Sequence, residues 1–168
     1  TFEQIRQDCI KVCREIVRFA GKECISDTTT IHWGEVNREG VRALRSLGFK
    51  SLTGYLTFND DGTPLVAYYL DKEQTAHAFD RDFWVDNKED IIFVKDDIII
   101  NEVDLDKIDG YMEDISGRQN HCFHYLLIHE QYFYEDYKAY QPDYEEKIGA
   151  AFEFLNKQGF VSSFFEEL

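Results

Sequence analysis

The chain has 168 residues, 43% of them hydrophobic and 15% aromatic, and a formal net charge of −15. That is enough apolar material for one domain with a real core, so a disordered chain is excluded. The charge opposes nucleic-acid phosphates and anionic membranes, and no apolar run is long enough to span a bilayer.

Residues 2–20 read as an amphipathic helix, because Phe2, Ile5, Cys9, Val12, Ile16 and Phe19 recur at spacings of three and four. Gly21 is placed to stop it. The β-branched stretch Cys24–Ile31 predicts a strand. Residues 37–47 predict a helix with Asn37 as N-cap, Val41, Leu44 and Leu47 as its buried stripe and Gly48 at its end. Phe49–Leu56 then reads as a second strand, completing a βαβ crossover. Asn59-Asp-Asp-Gly62 predicts a turn between Leu52–Phe58 and Leu65–Leu70, a hairpin.

Asp90–Val94 and Asp97–Asn101 are short apolar runs, and Asp104–Ile115 carries a helical stripe of Leu105, Ile108, Met112 and Ile115. Residues 57–120 are expected to be an insertion within a single α/β domain. Phe123–His129 reads as a strand, followed by an aromatic loop over Gln131–Gln141. Asp143 and Glu146 have the spacing of a capping box, and Tyr144, Ile148, Phe152 and Leu155 form the buried face of the helix they open. Gly159 ends that helix, and Phe160-Val161 is expected to begin a last strand.

Acidic residues gather in Asp86–Asp90, Asp96–Asp97 and Glu102–Asp106, and a solvated acidic face is expected because no Ca²⁺-loop spacing occurs. The four cysteines include Cys9 and Cys13 one helical turn apart but no CxxC. They are expected to be packing thiols in a reducing, cytoplasmic compartment. Thr1 is not a natural start, so upstream sequence is expected.

Two strand-to-helix junctions concentrate the chemistry: Thr30-Ile-His-Trp-Gly-Glu35 and Leu126-Leu-Ile-His-Glu-Gln-Tyr132. Parallel strands of one sheet would put both on its C-terminal rim, where α/β proteins place ligands. His32, Glu35, His129 and Glu130 would then share one site; strands in different sheets would sink that site and any family reading built on it. A histidine such as His129 is a residue type suited to acid–base work, although a strand-end histidine can equally be held by backbone. Trp33, Tyr132 and Tyr134 offer flat faces for a sugar ring. His121, His124 and His129 are not expected to form a metal site, because His124 and His129 would point to opposite faces of one strand. They read as surface or edge histidines.

The run from the first junction through Ala43-Leu-Arg-Ser-Leu-Gly-Phe49 resembles the third motif region of NodB-type polysaccharide deacetylases. Leu126-Leu-Ile-His129, a loop, a helix and Asn156-Lys-Gln-Gly-Phe-Val161 resemble that family's last motif and C-terminus. The resemblance covers roughly residues 2–56 and 122–168. It implies an α/β fold: the C-terminal half of a distorted (β/α) barrel of the glycoside hydrolase and deacetylase type, carrying an inserted β-hairpin region. It also implies metal-dependent hydrolysis of acetyl groups on carbohydrate when the domain is complete. By this resemblance His129 is the acid on the leaving sugar oxygen, and Glu130 stands where the family has an aspartate. His32, Trp33, Glu35, Tyr132 and Tyr134 become substrate-binding residues. The divalent metal, zinc or a similar ion, would be held by an Asp-Asp pair and a His-x₃-His motif of an N-terminal half outside this stretch, so metal ligands in this chain are unassigned. Thr30 and His32 stand where the family's third motif has arginine and proline. The isolated chain is accordingly expected to be inactive and, as a half barrel, to self-associate. The competing expectations are a non-catalytic domain binding glycan or protein, and an unrelated regulatory module with an acidic partner face.

Overall fold

The computed structural model describes residues 1–118, 120, 121 and 123–164. Their contacts divide the chain into two compact units, Thr1–Lys95 and Asp96–Leu168. The boundary falls within the stretch 57–120, so that stretch does not behave as one block.

The first unit opens with helix α1, Phe2–Ala20, capped by the Thr1 hydroxyl and ended by Gly21 at φ 98°. Its apolar stripe is only partly covered: Cys9 and Cys13 pack against the core, while Val12 is 58% and Phe19 88% exposed. Strand β1, Thr28–Thr30, is shorter than expected because Lys22–Cys24 coils into a 3₁₀ turn. Helix α2, Arg38–Ser46, begins where the Asn37 side chain accepts the Gly40 amide. Strand β2, Ser51–Gly54, pairs in parallel with β1, completing the expected crossover.

The Asn59–Gly62 turn joins β3, Thr57–Phe58, to β4, Pro64–Leu65. This hairpin is shorter than its sequence suggests, because Val66 and Tyr68 take positive φ and bend the chain away. Helix α3, Lys72–Arg81, and strand β5, Phe83–Asp86, were not legible in the apolar pattern. The helix is set by a capping box between Asp71 and Gln74. Strand β6, Ile91–Lys95, then lies beside β2 in parallel and beside β5 in antiparallel. The sheet order is β1-β2-β6-β5. Residues expected to be an insertion therefore supply one of its inner strands. Leu52, Phe93, Val41 and Leu44 are buried at its centre.

The second unit pairs β7, Ile98–Ile99, with β8, Leu126–Leu127, in parallel. Helix α4, Ile108–Ser116, follows a 3₁₀ turn over Leu105–Lys107, and α5 spans Tyr144–Gln158. Their core includes Ile98, Ile100, Met112, Ile115, Tyr144 and Leu155. The expected capping box of α5 does not form. Asp143 sits at φ −95°, ψ 10°, and its carboxylate lies 3.8 Å from the Lys147 ammonium instead. Nor does Phe152 join the buried face: α5 buries Tyr144, Lys147, Ala151 and Leu155, leaving Phe152 exposed. Gly159 ends the helix in the left-handed conformation, and the Phe160 amide donates back to the Leu155 carbonyl. Among the described residues no strand follows at Phe160-Val161.

The architecture is mixed α/β with a mostly parallel main sheet, and the described strands form separate sheets rather than a closed barrel. β1 and β8 belong to different sheets, so the expected common rim of one sheet is overturned. Among the described residues no helix is long and apolar enough to cross a membrane.

Candidate functional site

The first junction forms a 3₁₀ turn over His32–Gly34, directly after β1. Trp33 and Gly34 both take positive φ, 56° and 61°. Only glycine fits at 34: a Cβ there would stand 3.0 Å from the Val66 carbonyl carbon and 3.2 Å from the Tyr68 nitrogen. That close approach lines up Trp33, Glu35 and Asn37 against Leu65, Tyr68 and Tyr69 along a cleft of about 520 Å³. Tyr68 fixes one wall, since its hydroxyl donates to the Thr53 carbonyl at 2.5 Å and accepts the Ile31 amide at 3.3 Å. His32, Trp33 and Glu35 are exposed, and the His32 and Trp33 rings meet edge to face at 5.9 Å.

Beside this cleft, α2 is tied to the β5–β6 turn by an ionic network. Arg38 reaches Asp86 at 3.1 Å and Glu89 at 3.2 Å, and Arg42 makes two bonds to Glu89 at 2.6 and 2.8 Å. The Tyr69 hydroxyl donates to Asp86 at 2.8 Å, and Arg38 stacks 4.0 Å above the Tyr69 ring. The bonds from Arg42 and Arg38 hold the Glu89 carboxyl below its ordinary range. Burial works to raise Asp86, but the Tyr69 hydroxyl and the amides of Glu89 and Lys88 prevail and lower it. Burial, then the bond to Asp86, drives the Tyr69 phenol upward. Asp86, Glu89, Asp96 and Asp97 are buried, which corrects the expected solvated acidic face for these four, while Asp90, Glu102, Asp104 and Asp106 are exposed as expected.

The second junction lies in the second unit. His129 follows β8, and its Nδ1–H donates to the Asn101 side-chain oxygen at 2.9 Å. With Nδ1 engaged there, Nε2 is the ring nitrogen left for a ligand. The His129 amide donates to the buried Tyr144 hydroxyl, also at 2.9 Å. Burial raises the Tyr144 phenol above its ordinary pKa, so it stays neutral as an acceptor. Tyr132 stands 6.1 Å from the His129 ring and 5.5 Å from Tyr137 and Tyr144. Gln141 closes the aromatic loop by donating to the Asn101 carbonyl at 2.9 Å. Glu130, Phe133, Tyr134 and Tyr140 are exposed around this group. Asn101, which holds the His129 ring, was not singled out by sequence, and Tyr144 was not read as a partner of His129.

A third cluster was also missed. Asp97, His121 and His124 each present a ligand atom within 4.8 Å of the others. The Asp97 and His121 side chains are 0% and 3% exposed and His124 is half-buried, so the surface-histidine reading fails for His121. His124 precedes β8 rather than lying in it, which removes the alternation that set it apart. Cys122, between the two histidines, lies outside the described residues.

The structure therefore brings His129, Glu130, Tyr132 and Tyr134 together in one segment of the second unit, and His32, Trp33 and Glu35 together in the first. No family model, no curated protein and no solved structure matches this chain.

Proposed function

We propose that the chain is the C-terminal part of a polysaccharide deacetylase-like domain, a partial (β/α)-barrel type, acting on acetylated carbohydrate when complete. The observation that carries this reading is the setting of His129: a strand-end imidazole fixed through Nδ1 by Asn101 and flanked by an aromatic shelf. Doubly protonated, that ring can keep Nδ1 on Asn101 and pass the Nε2 proton to a sugar oxygen as its bond to the acetyl carbon breaks. Tyr132 and Tyr134 supply faces and hydroxyls for the sugar. The separate sheets of β1 and β8 remove the common rim for His32, Glu35, His129 and Glu130, the arrangement on which the family reading was staked, and what remains of that reading is the second junction alone.

The family's metal would polarise the acetyl carbonyl and activate water. The groups around His129 are an amide and phenols, Asn101, Tyr132 and Tyr144, which are a poor ligand set for a divalent ion. Carbohydrate is the proposed partner, and the charge of −15 argues against nucleic acid. Self-association belongs to the same reading, since Val12, Val17 and Phe19 of α1 are exposed. Sedimentation over a range of concentrations tests it, and a monomer throughout would remove it.

The deciding experiment measures acetate release by the natural protein containing this chain, with His129→Ala. The catalytic reading expects kcat to fall about 10²–10⁴-fold with little change in KM. A loss of thermal stability with unchanged kcat ends it. A second reading, glycan binding without hydrolysis, is favoured by the exposed Phe133, Tyr134 and Tyr140, which need no acid to stack on sugars.

A further inference from the structure

We propose that Asp97, His121 and His124 form a binding site for one divalent transition-metal ion, with Zn²⁺ the best match, which clamps the α4–β8 connection onto the start of β7. The argument begins with spacing. Two ligands on a tetrahedral ion with bonds of about 2.0–2.1 Å stand roughly 3.3 Å apart. His121 Nε2 lies 3.0 Å from His124 Nδ1 and 3.9 Å from Asp97 Oδ2, values that bracket that separation. His124 and Asp97 also lie within 4.8 Å of each other, so closing the three atoms onto one ion takes movements of up to about 1.5 Å in all.

The surrounding bonds aim the ligands. Ser116 Oγ lies 3.0 Å from His124 Nε2, which turns Nδ1 of that ring toward His121. The Tyr125 amide donates to Asp97 Oδ2 at 3.0 Å, and the Asp97 amide donates to the Tyr125 carbonyl at 2.8 Å. A histidine whose second nitrogen is held by a hydroxyl and a carboxylate held by a backbone amide are the outer contacts that metal ligands ordinarily carry. Phe160 packs 4.6 Å from the His124 ring and gives the cluster an apolar side.

Ligand chemistry sets the class of ion. Two imidazoles and one carboxylate favour Zn²⁺, Co²⁺ or Ni²⁺ over Mg²⁺ and Ca²⁺, which prefer oxygen. Asp97 and His121 are separated by 23 intervening residues that include all of α4. An ion bridging them would tie both ends of that excursion in the folded state and not in the unfolded one, so binding would stabilise the unit. This inference does not depend on the hydrolase reading, because acetate release enters neither arm of its test.

The test titrates chelator-treated chain with Co²⁺, followed by displacement with Zn²⁺. One equivalent of Co²⁺ should bind with visible d–d bands of a tetrahedral nitrogen and oxygen site, and Zn²⁺ should abolish them and raise the melting temperature. His121→Ala should remove the bands and weaken Zn²⁺ binding at least 100-fold, while Ser116→Ala should weaken it about 10–100-fold. His124→Gln guards against misfolding, since it can keep a bond to Ser116; a native amide spectrum with the bands lost supports the site. Absence of d–d bands in the unaltered chain, or equal Zn²⁺ affinity in a folded His121→Ala, His124→Gln double variant, overturns the proposal and leaves a hydrogen-bonded histidine pair.

Discussion

Replacing Tyr144 by Phe isolates the bond that holds the backbone at His129. The ring itself is 1% exposed and packs against Tyr132 and Phe133 at centroid distances of 5.5 and 4.9 Å. Phenylalanine keeps those contacts and removes only the hydroxyl that accepts the His129 amide at 2.9 Å. A buried donor left without a partner costs about 1–3 kcal/mol. His129 is half-buried, so water restores part of that bond, and a loss of about 1–2 kcal/mol is expected. Two compact units make a single global unfolding curve a poor reporter, so the assay is native-state amide exchange. Exchange at the His129 amide should accelerate about 5–30-fold, the factor that corresponds to this energy. Amides in the middle of α5 should change much less, and Tyr132→Phe should leave His129 protected. Unchanged exchange at His129, or a uniform acceleration along α5, would refute the reasoning.

Three other outcomes follow from the same geometry. Gly34→Ala should destabilise the first unit by roughly 1–2 kcal/mol for its left-handed backbone, and further because its Cβ would meet the Val66 and Tyr68 backbones. Gly48→Ala, at φ 103° with open space around it, should show the backbone cost alone, and equal denaturation midpoints for the two would refute the crowding. Asp86 and Glu89 have folded-state pKa values below their unfolded ones, so their contribution is full above the ordinary carboxylate range and is lost as pH falls through the lowered values. Acid titration of stability should therefore be shallower below about pH 4 in Glu89→Gln than in the unaltered chain. The Cys9 thiol is pushed up to about 11 by burial and by neighbouring Cys13, whereas Cys24 is exposed. Alkylation near pH 8 should label Cys24 well before Cys9, and the reverse order would contradict the burial of α1 on its core.

Local signals made part of this fold legible. Gly21, Asn37 and Gly159 end or begin helices where their backbone and side-chain chemistry says they should. The Asn59–Gly62 turn does mark a hairpin. Helix α3 escaped because its buried residues are Thr75 and Ala78, too small and too few to mark an apolar period, although Asp71 and Gln74 carried the capping signal. The solvated reading of Asp86 and Glu89 failed because their partners Arg38 and Arg42 lie more than 40 residues away. The grouping of Asp97, His121 and His124 was hidden for a related reason. Treating residues 123–129 as one strand imposed an alternation that a strand of only Leu126–Leu127 does not obey. Asp97 joins the histidines only through the pairing of β7 with β8.

The central functional claim is that acetylated carbohydrate engages the His129 segment. Titrating this chain with acetylated chito- or xylo-oligosaccharides and following assigned amide and side-chain resonances tests it directly. Saturable shifts should centre on His129, Glu130, Tyr132 and Tyr134, and they should vanish in Tyr134→Ala while the rest of the spectrum is kept. No saturable shift at those residues, or shifts confined to the Trp33 and Tyr69 cleft, would contradict the claim.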